Sequence, residues 1–216
     1  EPALPKANSV HQPVLRVVRD NGGATLSLTV AAFVVALVVG IPLGLLAGRY
    51  RDSVPDVVIR LFGILSYAAP VFFVGFLLQL YVAGPLGLPT SGDASPITVF
   101  EIQPKTHILV LDALLSGNGT AIQDVLKHLV LPATTLGLLI CGIFIRLVRV
   151  NMLQTMQAEY VEAAEARGIS RSKVTWRHAF RNALVPVITV VGLQFALLLG
   201  GAVLAANLPA SVFKPI

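Results

Sequence analysis

The sequence predicts an all-α, polytopic membrane protein. Three observations lead there. Of 216 residues, 55% are hydrophobic and only 12% charged, about half the charge of a soluble domain, and the mean hydropathy is +0.79. Four apolar segments are long enough to cross a hydrocarbon layer. One long basic link, residues 151–183, separates the last two. The backbone of such segments must satisfy its own hydrogen bonds in lipid, so they are helices.

The first span is placed at 23–48 and carries no charge. Pro42 lies in it between Gly40 and Gly44, and is expected to kink or loosen its end. After the polar link RYRDSVPD, residues 49–56, a second span is expected at 57–82. Arg60 near its start can snorkel to the membrane surface. Pro70 falls in mid-span, and two readings stand side by side: a fixed kink, or a bend lining a path. Residues 83–127 hold no run of span length. Within them ITVFEI reads as a short strand and THILVLDALL as a surface helix. Asn118-Gly119-Thr120 matches a glycosylation acceptor but is read as a turn. The third span is placed at 128–150, with Arg146 and Arg149 marking one membrane face. The fourth is placed at 184–206, where Pro186 is a candidate bend and Gly200 and Gly201 allow close helix approach.

Charge orients these spans. The net charge is +5. Seven of the 16 Lys and Arg residues lie late in the chain, namely Arg146, Arg149, Arg167, Arg171, Lys173, Arg177 and Arg181. The positive-inside bias places 151–183, and with it 49–56, in the cytoplasm. Residues 83–127, which carry Asp93, Glu101, Asp112 and Asp124 against Lys105 and Lys127, fall outside. So do residues 1–22, although Lys6, Arg16 and Arg19 mildly oppose this. Basic charge between spans is a topological signal, and nucleic acid is not an expected partner. The single cysteine, Cys141, lies in an apolar stretch and reads as a small buried hydrophobe.

The link itself keeps helical character. MLQTMQAEYVEAAEA, residues 152–166, is rich in helix formers, with Met152, Met156, Tyr160, Ala163 and Ala164 near one face and Glu159, Glu162 and Glu165 on others. Gly168 is placed to cap it, with Arg167 in the last turn. Ser170 can cap a second helix, RSKVTWRHAFRNA. The bland reading is a solvated connector, but a connector needs only a few residues. A helix, glycine turn and helix at the cytoplasmic face reads better as a docking surface.

These residues carry a resemblance. Glu162-Ala163-Ala164, three residues and then Gly168 resemble the EAA loop of the membrane subunits of binding-protein-dependent ABC importers. Three further blocks resemble the dipeptide/oligopeptide permease branch: DNGGATLSLTVAAFVVALVVGIPLGLLAG, LKHLVLPATTLG and RHAFRNALVPVITVVGLQFALLLGGAV. The resemblance covers nearly all of residues 12–204. It implies a type I ABC importer permease core with four spans of a usual six, the second to the fifth. It implies an extracellular segment at 1–22, a core at 23–206 and a divergent or truncated tail at 207–216. Glu162, Ala163, Ala164 and Gly168 would meet the ATPase, with Glu159 and Arg167 beside them. The implied partners are a second homologous permease subunit, two cytoplasmic ATPase subunits or domains, an extracellular or periplasmic substrate-binding protein and membrane lipid, and the implied location of the chain is a bacterial or archaeal plasma membrane. Residues 83–127 would serve as an outer docking or gating surface.

No Walker G-x-x-x-x-G-K-[ST], G-x-S-x-G or H-E-x-x-H occurs in the chain, and the four histidines are scattered. The chain is therefore not expected to be an enzyme or to hold a metal or cofactor. ATP and Mg are expected in the partner ATPases. The resemblance implies di- or oligopeptides as cargo. The alternatives are nickel or glutathione as cargo, a degenerate subunit that does not transport, and an intramembrane enzyme, for which the spans offer few polar groups.

Overall fold

The computed structural model describes residues 14–102, 105–106, 108–170 and 173–207. The expectations for residues 1–13 and 208–216 lie outside the described residues. Two long helices form the centre. Helix α1, Val14–Arg49, has 36 residues. Helix α7, Gly119–Met156, has 38 and is about 57 Å long at 1.5 Å per residue. That length exceeds a hydrocarbon core of about 30 Å, so its ends project beyond it. Both helices run unbroken through an internal proline, Pro42 and Pro132 respectively.

The two helices are parallel. Gly40 abuts Phe144 and Cys141, Gly44 abuts Val148 and Ile145, and Gly48 abuts Met152. From the other side Gly137 meets Val35 and Ala32. A small residue recurs at every fourth position of α1 (Ala32, Ala36, Gly40, Gly44, Gly48), one stripe along a helix face. A Cβ built on Gly40, Gly44 or Gly48 would sit 2.8, 2.7 or 2.9 Å from the Cβ of its partner in α7. The seam closes only because these positions lack side chains. Around it lies the core of Phe33, Ala36, Leu45, Cys141, Phe144, Ile145, Val148 and Met152.

The expected second span is broken. Helix α2, Val54–Ala68, is followed by α3, Val71–Leu78, and the axis bends by 108° between Val54–Ala68 and Val71–Leu86. Ala69 and Pro70 are both extended, with ψ of 136° and 134°. The ring of Pro70 disfavours helical backbone at residue 69, and Pro70 then caps α3. A π-helical turn, Gln79–Ala83, and a short α4, Gly84–Leu86, follow. Helix α2 runs antiparallel to α7, with Gly63 against Gly142 and Ile145.

The outer segment is helical. ITVFEI is not a strand but most of α5, Pro96–Glu101. Ser95-Pro96 is a helix start, with proline in the first turn. Burial of Thr98 and Ile102 with exposure of Ile97 and Phe100 follows a period of four, not two. The expected surface helix is α6, Leu109–Ser116. Asn118 caps α7, accepting from the Thr120 and Ala121 N–H groups at 3.1 and 3.5 Å, in keeping with its reading as a turn residue.

The link 151–183 is not one helix followed by another. Helix α7 ends at Met156, and the chain breaks at Gln157 and Ala158. Helix α8, Glu159–Ala166, follows. A π-helical segment, Val174–Ala179, passes into α9, Phe180–Ala183, and then into α10, Val185–Asn207. Pro186 sits at the second residue of α10, where the helix restarts and its missing N–H costs nothing. Phe33 of α1 packs its ring 6.2 Å from Phe144 and 5.7 Å from Phe195, joining α1, α7 and α10. Among the described residues nothing lies within 4 Å of a Cβ built on Gly200. Among the described residues three helices are long and apolar enough to cross a membrane, or four spans if the bent pair counts as one.

Candidate functional site

The end of the bundle formed by α8 and its neighbours carries most of the sequence-predicted residues. Val161, 3% exposed, anchors α8 inward. Glu159, Glu162, Ala163 and Arg167 are exposed, and Ala164 is half-buried. The two glutamates occupy the first turn, where the helix dipole favours negative charge. The helix closes as a Schellman turn: the Ile169 N–H donates to the Ala164 carbonyl at 3.2 Å, with Gly168 left-handed at φ +77°. A β-carbon is disfavoured there, so the glycine is required by the backbone. Asn182 donates to the Tyr160 hydroxyl at 3.2 Å, and the Thr175 hydroxyl donates to the Met156 sulfur at 3.7 Å. These bonds tie α8 to α9 and α7 to the π-helical segment, from which Trp176 projects, half exposed, edge-on to Phe180.

The expected shared face of Met152, Met156, Tyr160 and Ala163 is not formed. The break at Gln157 separates it, leaving Met152 in the core and Tyr160 exposed. The bend candidates are dispersed: Pro42 in α1, Pro70 at the 108° break, and Pro186, Gly200 and Gly201 in α10.

One feature was not read from the sequence. Arg149 of α7 grips Asp56 of α2 with two bonds, Nε to Oδ1 at 2.7 Å and a terminal guanidinium nitrogen to Oδ2 at 2.8 Å. Asp56 is fully buried and Arg149 is 14% exposed. The Asp52 N–H adds a third bond to Oδ2 at 3.0 Å, and Arg60 stands 3.6 Å from Oδ1. Ninety-three residues separate the pair, so no local pattern links them.

At the opposite end, a cavity of about 620 Å³ opens between α1, α3, α7 and the outer loop. Its walls are mostly apolar, with Thr25, Ser27, Gln79, Thr90, His128 and Thr135 as polar points. The loop is pinned across it by the Ser95 N–H donating to Asp124 at 2.8 Å. Among the described residues no cluster of His, Cys, Asp or Glu is placed to hold a metal ion.

Long apolar helices, a glycine-packed centre and an exposed helix-turn at one end define a multi-pass helical membrane protein. Residues 40–213 match the family described as binding-protein-dependent transport system inner membrane component, and the chain belongs to it. It is 37% identical over 186 residues to the di/tripeptide transport system permease protein of Pseudomonas aeruginosa, covering 86% of this chain and 55% of that protein. It is 38% identical over 197 residues to the dipeptide transport system permease protein of Haemophilus influenzae, covering 91% and 59%. It is 36% identical over 192 residues to the putrescine export system permease protein of Escherichia coli, covering 87% and 59%. The chain thus spans somewhat more than half the length of these relatives. Its family and multi-pass character place it in the bacterial plasma membrane.

Proposed function

We propose that this chain is a transmembrane subunit of an ATP-driven importer, with a type I permease core, that moves di- or oligopeptides inward. A second homologous permease subunit, two cytoplasmic ATPases and an external substrate-binding protein complete it. The supporting observation is the exposed α8 with its glycine-closed turn, set at the foot of a helix that traverses the whole bundle. Glu159, Glu162, Ala163, Ala164, Arg167 and Gly168 are the ATPase contact. Ala163 and Ala164 permit close approach, Gly168 makes the turn, and Glu162 supplies a polar contact. When the ATPases close on ATP they displace α8, the spans reorient, and the path opens to the other side. ATP and Mg belong to the partners. The outer cavity, apolar with a few polar side chains, is where cargo released by the binding protein enters.

Two of the three relatives named above are named for small peptides, which supports peptide cargo. The third is named for putrescine export, and uptake assays with a dipeptide and with putrescine separate the two. For the docking assignment, Glu162→Lys, Ala164→Trp and Gly168→Val are expected to reduce ATPase co-purification and peptide uptake while the chain stays in the membrane. Normal uptake in all three variants would sink the assignment.

A further inference from the structure

We propose that the Asp56–Arg149 pair is a positioning contact that makes the foot of α7 and the start of α2 move as one body. Through it a displacement of the α8 loop reaches the Pro70 bend. The inference rests on the coupling role proposed for α8.

The pair is not needed to bring the helices together. Helix α1 is already seated on α7 by the glycine seam, and α2 by Gly63 against Gly142. A buried ion pair adds little net stability over an apolar replacement, but it fixes registry when both partners are held from several sides. Here the hold is directional. The planar guanidinium meets both carboxylate oxygens, a geometry a lysine does not reproduce. The Asp52 N–H then draws the α1–α2 turn onto the same carboxylate. Asp52 accepts a left-handed backbone, φ 59°, to do so.

The pair also lies on a polar route between the two moving parts. Arg149 is two turns before Met156, about 10 Å along α7, and Met156 is bonded to Thr175. The break at Gln157 and α8 follow directly. On the other side, Asp56 is in the first turn of α2, whose far end is the 108° break at Pro70. A cavity of about 470 Å³ lies between the turn residues Arg49, Tyr50 and Arg51 and the loop residues Met156, Gln157 and Thr175. With that gap, the turn is not pushed directly by the loop. Motion passes up α7 to Arg149 and across to Asp56. Beyond its first turn α2 presents Leu61, Leu65 and Tyr67 outward on one face, while Gly63 seats the other on α7, so a shift at Asp56 is carried along α2 as a rigid rod to Pro70.

The test uses the assembled transporter with its ATPases in proteoliposomes, comparing wild type, Asp56→Asn and Arg149→Lys. The readout is ATP hydrolysed per molecule of labelled dialanine imported, a ratio from which the folded fraction cancels. Assembly is followed by co-purification of the ATPases. Asp56→Asn is expected to assemble and hydrolyse ATP within about twofold of wild type, while ATP used per peptide rises about fivefold or more, the lower end of usual coupling free energies. Arg149→Lys is expected to fall between. An unchanged ratio in both variants overturns the proposal. So does failure of both to assemble, which would make the pair purely structural. If the wild type couples no ATP hydrolysis to uptake, the proposed function fails and this inference falls with it. If the wild type couples and Glu162→Lys does not, while Asp56→Asn behaves as wild type, only the inference is lost.

Discussion

Replacing Gly44 tests the packing on which every other contact depends. A Cβ at this position would lie 2.7 Å from Val148 Cβ and 2.9 Å from the Ile145 carbonyl oxygen. Two carbons are comfortable at about 3.5–4.0 Å, and Ile145 offers backbone, which does not rotate away. Helices α1 and α7 must therefore part by roughly 1 Å. A gap of that size forfeits up to about half of each dispersion contact. If roughly 25 carbon pairs line the seam near Gly44 at about 0.15 kcal/mol each, the loss is about 1.5–2 kcal/mol, within the usual range for overpacking. Alanine returns up to about 1 kcal/mol through its better helix propensity, so Gly44→Ala should destabilise by about 1 kcal/mol. Gly44→Leu, with three more carbons to place, should cost about 3 kcal/mol or block accumulation altogether. Gly192→Ala is the control, since nothing lies within 4 Å of that position; it should be neutral or slightly stabilising. The assay is the fraction of detergent-solubilised protein that remains monodisperse after heating. A Gly44→Leu protein as heat-resistant as wild type would refute the close-packed seam.

Other perturbations follow the same logic. Asn118→Ala removes the cap of α7 and the bond from Asn118 to Glu101 at 3.0 Å, and should cost about 1 kcal/mol in the same thermal assay. Asp124→Asn weakens the acceptor for the Ser95 N–H, so hydrogen exchange at residues 95–101 should quicken while that of α1 stays unchanged. Pro70→Ala frees residue 69 to become helical, and spin labels at positions 61 and 78 should move apart as the 108° bend opens. An unchanged distance would assign the bend to packing and not to proline.

Much of this was legible in the sequence because lipid leaves few choices. Apolar runs of span length had to be helices, and the first, third and fourth are. The Gly168 turn was legible because one residue type meets one backbone need. The break at Pro70 was visible as a proline but not as an angle, because the angle depends on what α2 and α3 pack against. The ITVFEI helix was misread by β-propensity: isoleucine, valine and phenylalanine favour strands, while the Ser95-Pro96 start and the spacing of Thr98 and Ile102 spoke for helix. The seam also had a signal, a small residue at every fourth position from Ala32 to Gly48, but the signal does not say which helix the stripe meets. The Asp56–Arg149 pair had no sequence signature, because its partners meet only after three helices have assembled.

The parallel seam also sets a schedule for biogenesis. Each position of α1 is matched with one about 100 residues later, so the first helix enters the membrane well before its mate has been made. At about 5–20 residues per second, the glycine stripe waits roughly 5–20 seconds facing lipid or the insertion machinery. During that interval a neighbouring nascent chain offers it an equivalent surface, since small-residue stripes pair with one another. Synthesis rate and the spacing of ribosomes on the message therefore bear on how much of this protein reaches its native pairing.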